Sequence, residues 1–92
     1  MMLKVVLTNK FQRDLKLAQK RGYNLNALSE VVDKLSKQEP LQAKNRDHLL
    51  SGNYADYREC HIAPDWLLIY RIYQDELILV LSRTGTHSDL FD

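Results

Sequence analysis

The 92 residues contain one cysteine, two prolines and three glycines. A single thiol, Cys60, rules out an internal disulfide and fits a reducing, cytoplasmic setting. No apolar run approaches the ~20 residues that a membrane span needs, so no membrane association is expected. Met1 to Leu7 lack the basic start, long apolar stretch and small-residue cleavage site of a secretory signal. There are no repeats, no low-complexity segment and no linker rich in Gly, Ser or Pro, so residues 1–92 read as a single domain with one modest core. There is no HExxH motif and no paired Cys/His spacing. No metal and no other cofactor is therefore expected, although three histidines with Asp65 leave zinc as an alternative.

The net charge of +1 is small, but its distribution is uneven. Residues 1–46 carry ten Lys/Arg against four Asp/Glu, whereas residues 47–92 carry three against eight. A basic half beside an acidic half suits a chain that meets a polyanion with one surface. Helices that simply carry solvated lysines would look the same.

The apolar pattern changes period along the chain. Met2 to Leu7 is short and β-rich and reads as a strand. Thr8 or Asn9 can cap a helix in which Phe11, Leu15 and Ala18 share one side, and Gly22 is a natural stop. Asn24 or Asn26 can cap a second helix striped by Leu25, Leu28, Val32 and Leu35. Pro40 ends that region, and Gln42 to Gly52 reads as a polar loop. Three strands follow, at Tyr57–Ile62, Trp66–Tyr73 and Glu76–Ser82, with a tight turn at Gln74-Asp75. Thr86 with Asp89 can cap one short helical turn at the end. The order β-α-α-β-β-β predicts an α+β fold: a small, twisted, mainly antiparallel sheet with an N-terminal helical hairpin packed on it.

All three histidines lie in the second half. His48 is in the polar loop beside Asp47, His61 is near a strand end, and His87 is in the tail after Arg83-Thr84-Gly85. If the last three strands are neighbours, Asp65, Arg83 and His87 approach one edge. Imidazoles with a carboxylate and a guanidinium suit RNA cleavage without a metal. Histidine can give or take a proton near neutral pH, arginine can hold two phosphate oxygens, and aspartate can act as base or fix a histidine tautomer. Trp66, Tyr70 and Phe91 could stack on bases, or the strand aromatics could simply pack. Lys10, Arg13, Lys16 and Lys20 could hold RNA, or they could form a solvated face. Cys60 alternates away from His61 and is expected in the core. The residues alone imply a small α+β domain that could bind or hydrolyse RNA.

A longer pattern adds to this. Asp14-Leu15-Lys16-Leu17-Ala18-Gln19-Lys20-Arg21 is followed by Asp47-His48 with Leu50 and Gly52, then Tyr57-Arg58. His61, Pro64-Asp65-Trp66-Leu67-Leu68-Ile69-Tyr70, Arg83-Thr84-Gly85-Thr86-His87 and Leu90-Phe91 complete it. In order and spacing the chain resembles the toxins of the RelE superfamily, in the YafQ branch. The resemblance implies a toxin of a type II toxin–antitoxin system. It would be a ribosome-dependent endoribonuclease that cleaves mRNA in the A site by 2′-hydroxyl attack. The catalytic set it implies is His48, His61, Asp65, Arg83 and His87, with Trp66 and Phe91 touching phosphate or base. The implied partners are a RelB/DinJ-like antitoxin, mRNA and the ribosome with its 16S rRNA, and operator DNA only through the antitoxin complex. A non-catalytic translation inhibitor, or a co-repressor acting with its antitoxin, is the alternative.

Overall fold

The computed structural model describes residues 2–91; Met1 and Asp92 lie outside the described residues. It has five strands and three α-helices: β1 (Lys4–Leu7), α1 (Asn9–Lys20), α2 (Leu25–Ser36), β2 (His48–Leu49), β3 (Arg58–Ala63), β4 (Trp66–Tyr73), β5 (Ile78–Gly85) and α3 (His87–Phe91). The sheet order is β1-β5-β4-β3-β2, and only the β1–β5 pair is parallel. The expected α+β, mainly antiparallel architecture is present.

Local chemistry sets the ends of the helices. Thr8, not Asn9, caps α1: its hydroxyl accepts from the Phe11 amide at 3.0 Å. Asn24, not Asn26, caps α2 and accepts from the Asn26 amide at 3.1 Å. Gly22 turns the chain after α1 at φ +75°, a region that costs a side-chain-bearing residue energy. At α3 the expected box is reciprocal. The Asp89 amide donates to the Thr86 hydroxyl at 3.1 Å, and the Thr86 amide donates to the Asp89 carboxylate at 2.9 Å.

Two expectations needed correction. The Gln42–Gly52 segment is not all loop: it holds a 3-10 turn at Ala43–Asn45 and the short strand β2. The turn before β5 is longer than Gln74-Asp75, with Leu77 at φ +56° closing onto the Gln74 carbonyl, so β5 starts later and runs on to Gly85.

The alternation of β4 divides the interior. Trp66, Leu68 and Tyr70 join Phe11, Ala18, Leu28, Val31 and Leu35 in the larger core under α1 and α2. Leu67 and Ile69 point the other way and are covered by Leu90 of α3, with Leu50, Tyr54 and Tyr57 around them. Because β4 is buried on both sides, α3 and the loop before β3 are packed onto the face opposite the two long helices.

Candidate functional site

Register places the site. Across β3, β4 and β5 one row runs Glu59–Ile69–Arg83, and the next runs His61–Leu67–Gly85. β2 extends the first row outward, because His48 pairs with Glu59. Two histidines, one glutamate and one arginine therefore share the face that carries α3. Cys60, Leu68 and Thr84 fall on the helix side.

Both rings are held by main-chain oxygens. His48 Nδ1 donates to the Arg46 carbonyl at 2.7 Å, and His61 Nδ1 donates to the Pro64 carbonyl at 3.2 Å. A carbonyl can only accept, so each neutral ring carries its proton on Nδ1 and leaves Nε2 to exchange protons. Both Nε2 atoms face the Glu59 carboxylate, at 3.5 Å from His48 and 4.0 Å from His61. Glu59 is only 4% exposed. Its part in the site is not evident from its sequence neighbours; strand alternation, which puts residues 59 and 61 on one face, is the one signal for it.

The turn that carries His48 is fixed from below. Asp47 accepts from the Tyr70 hydroxyl at 2.5 Å and from Arg58 Nε and Nη2 at 3.3 Å each. Burial, and then this contact with Asp47, pushes the Tyr70 phenol above its ordinary range, so the hydroxyl stays a donor.

Asp65 and His87 meet on the next edge. The Asp65 carboxylate accepts from the His87 amide at 3.1 Å, which locates the first turn of α3. His87 leans on Phe91 with ring centroids 5.4 Å apart, and Phe91 meets Tyr54 edge-on at 5.9 Å. Phe91 is 43% exposed and offers an open aromatic surface. α3 is anchored to α1 by a two-point pair, with Arg21 Nη1 and Nη2 donating to Asp89 at 2.6 and 3.1 Å. Gly85 is needed at this junction, because a Cβ there would stand 2.9 Å from Asp89 Cβ.

Arg83 lies in the Glu59 row, but its fork is engaged. β1 ends opposite Leu81, leaving the end of β5 as an open edge along which α1 runs. From α1, Asp14 accepts from Arg83 Nε at 2.7 Å, from Nη2 at 3.2 Å and from the Thr84 amide at 3.1 Å. The carboxylate raises the already high Arg83 value, so the guanidinium keeps its charge.

Trp66 is 4% exposed, its indole N–H donates to Thr84 Oγ1 at 2.8 Å, and its ring lies 4.9 Å from that of Tyr23. The face expected to meet a base is covered, because alternation turns residue 66 toward the helices. Lys10, Arg13, Lys16 and Lys20 are all exposed on α1. Among the described residues no group of three or more His, Cys, Asp or Glu is arranged to hold a metal ion, and no helix is long and apolar enough to cross a membrane.

Residues 3–92 match the model of a family described as bacterial toxin of type II toxin-antitoxin system, YafQ. The mRNA interferase toxin YafQ of Escherichia coli strain K12 is 40% identical over 85 residues, which cover 91% of this chain and 90% of that protein. A metal-bound toxin from Helicobacter pylori superposes with a TM-score of 0.93 at 46% identity, covering 98% of this chain and all of the other. The E. coli DinJ-YafQ toxin-antitoxin complex contains a chain that matches with a TM-score of 0.89 at 36% identity, covering 100% of both.

Proposed function

The chain belongs to the YafQ family of toxins from type II toxin–antitoxin systems, and on that premise we propose that it is an mRNA interferase, a ribosome-dependent endoribonuclease acting in the A site. One observation carries the chemistry: two imidazoles whose Nδ1 protons are committed to backbone carbonyls present both Nε2 atoms to one buried carboxylate.

That arrangement, with His87 and Arg83 beside it, supports the following reaction. The substrate 2′-hydroxyl gives its proton to His61 Nε2 and attacks the adjacent phosphorus. The O2′–P bond forms, the P–O5′ bond breaks, and His87 supplies the proton that the leaving 5′-oxygen needs. The products are a 2′,3′-cyclic phosphate and a free 5′-hydroxyl, with no metal required. Glu59 holds whichever ring becomes imidazolium. Arg83, oriented by Asp14, balances the charge that develops on the phosphorane, and His48 lies on the far side of Glu59 as a second proton donor or acceptor. Asp65 positions His87 through its amide, and Phe91 supplies the stacking surface for a splayed base.

The exposed cations of α1 fit 16S rRNA, to which binding is electrostatic and salt-dependent. The partner that silences the chain is a DinJ-like antitoxin in the cytoplasm, and operator DNA is met only through that complex. The proposal is tested by expressing the chain without antitoxin and mapping mRNA 5′ ends by primer extension. New ends within A-site codons, lost in His87→Ala, are expected. Growth arrest without new ends would mean that the chain only blocks translation.

A further inference from the structure

His61 also lines a trench whose other side chains have no part in the cleavage chemistry. Its wider part has a volume of about 480 Å³, with His61 and Pro64 on one bank and Lys44 and Arg46 on the other. A narrower cleft of about 130 Å³ shares Lys44 and Asn45 and runs along α2 past Lys34. Glu30 lines the narrow cleft, whereas no carboxylate among the described residues lines the part beside His61.

Among the described residues four cations are spoken for, and the three that line the trench and cleft are not, a state they share with Lys4, Lys10, Arg13, Lys16, Lys20 and Arg71. Arg21, Lys37, Arg58 and Arg83 each have a carboxylate partner within 4.0 Å. Among the described residues Lys34, Lys44 and Arg46 form no ion pair, so their charge is available to a ligand.

The trench is also tied to the histidines. Asn45, 7% exposed, donates to the His61 carbonyl at 2.8 Å. Arg46 takes a left-handed conformation, φ +49°, although it is not glycine, and its carbonyl receives the His48 Nδ1 proton. An anion bound by Lys44 and Arg46 is thus held in fixed register with both rings.

We propose that Lys44 and Arg46, with Lys34 farther along, form a subsite for the backbone phosphates of the substrate RNA strand on one side of the cleaved bond. This rests on the ribonuclease reading above. The Arg46 fork takes two oxygens of one phosphate, and the Lys44 ammonium takes the next as a point charge.

The test uses ribosomes programmed with an mRNA that extends to both sides of the cleaved codon, and with two messages truncated just 5′ or just 3′ of it. The intact chain is compared with the Lys44→Gln/Arg46→Gln double variant. On the full message the variant should raise KM by about tenfold or more, with kcat within about twofold. The fall of log(kcat/KM) with log salt should become shallower by about 1.4, the contribution of two phosphates on a single strand. On one truncated message the intact chain should fall to the variant's level. A charge-conserving Arg46→Lys variant should keep the salt slope but lose part of the affinity, because a point charge replaces the fork. An unchanged KM and salt slope on the full message overturns the subsite. So does a KM defect that persists on both truncated messages, because the trench then holds a different RNA. An intact chain that cuts none of the three overturns the ribonuclease reading itself, and the subsite with it.

Discussion

The carboxylate of Asp65 accepts the backbone amide of His87 at 3.1 Å, across 22 residues of sequence. That bond joins the β3–β4 turn to the first turn of α3, so the location of the His87 ring depends on a side chain in another element.

This separates two roles for Asp65. Asp65→Asn keeps an oxygen that can accept the amide, and Asp65→Ala does not. If Asp65 positions His87, kcat in Asn stays within about threefold of the parent while Ala drops by about tenfold or more. Loss of that hydrogen bond also costs α3 about 1 kcal/mol. Steady-state cleavage by the two variants decides, and an equal, large loss in both would mean that Asp65 itself takes the proton.

Glu59 gives a second expectation. Glu59→Gln preserves shape but removes the charge shared by the His48 and His61 Nε2 atoms. We expect kcat to fall by about tenfold, with KM within about twofold, since the charge matters most when an imidazolium forms. Unchanged kcat would remove Glu59 from the mechanism.

The extent to which the site was legible in the sequence depends on the range of each interaction. The Thr86–Asp89 box and the two helices were readable because their determinants lie within three or four residues. Glu59 was legible only in part: alternation sets it on the face of His61, but its link to His48 arises from the pairing of the two-residue β2, which has no apolar pattern of its own. Trp66 was readable either as packing or as a base platform; the β4 alternation and Tyr23 set it in the core. The engagement of Arg83 by Asp14 spans 69 residues: the Thr8 cap marks the end of β1, but the β1–β5 pairing that brings Asp14 to Arg83 has no local signal.

Acid should loosen α3. The Arg21 guanidinium, then the Thr86 amide, hold the Asp89 carboxyl well below the usual carboxylate range. A depressed native value contributes stability that is fully present above the unfolded value and is lost as pH falls through the native one. The stability difference between the parent and Asp89→Asn, read from urea midpoints, should hold steady from about pH 8 to about pH 5 and shrink below about pH 4. Because the pair is partly exposed, added salt should also reduce it. A difference that grows in acid would contradict the assignment.

Cys60 should be inert. It is 0% exposed, and burial, with the nearby Asp47 and Glu59 charges, pushes its thiol up to about 12. Native protein should not react with a thiol-specific disulfide reagent at neutral pH, and denatured protein should release one equivalent. Rapid native labelling would show that this face of the sheet opens.

The most direct test of the account is cleavage of one A-site codon carrying a single 2′-deoxy nucleotide on the 5′ side of the scissile phosphate. The all-ribose message should be cut to a 2′,3′-cyclic phosphate and a 5′-hydroxyl, and the deoxy message should stay intact at that bond. Cutting of both messages at the same rate and position would contradict attack by the 2′-hydroxyl and the roles given to His61 and His87.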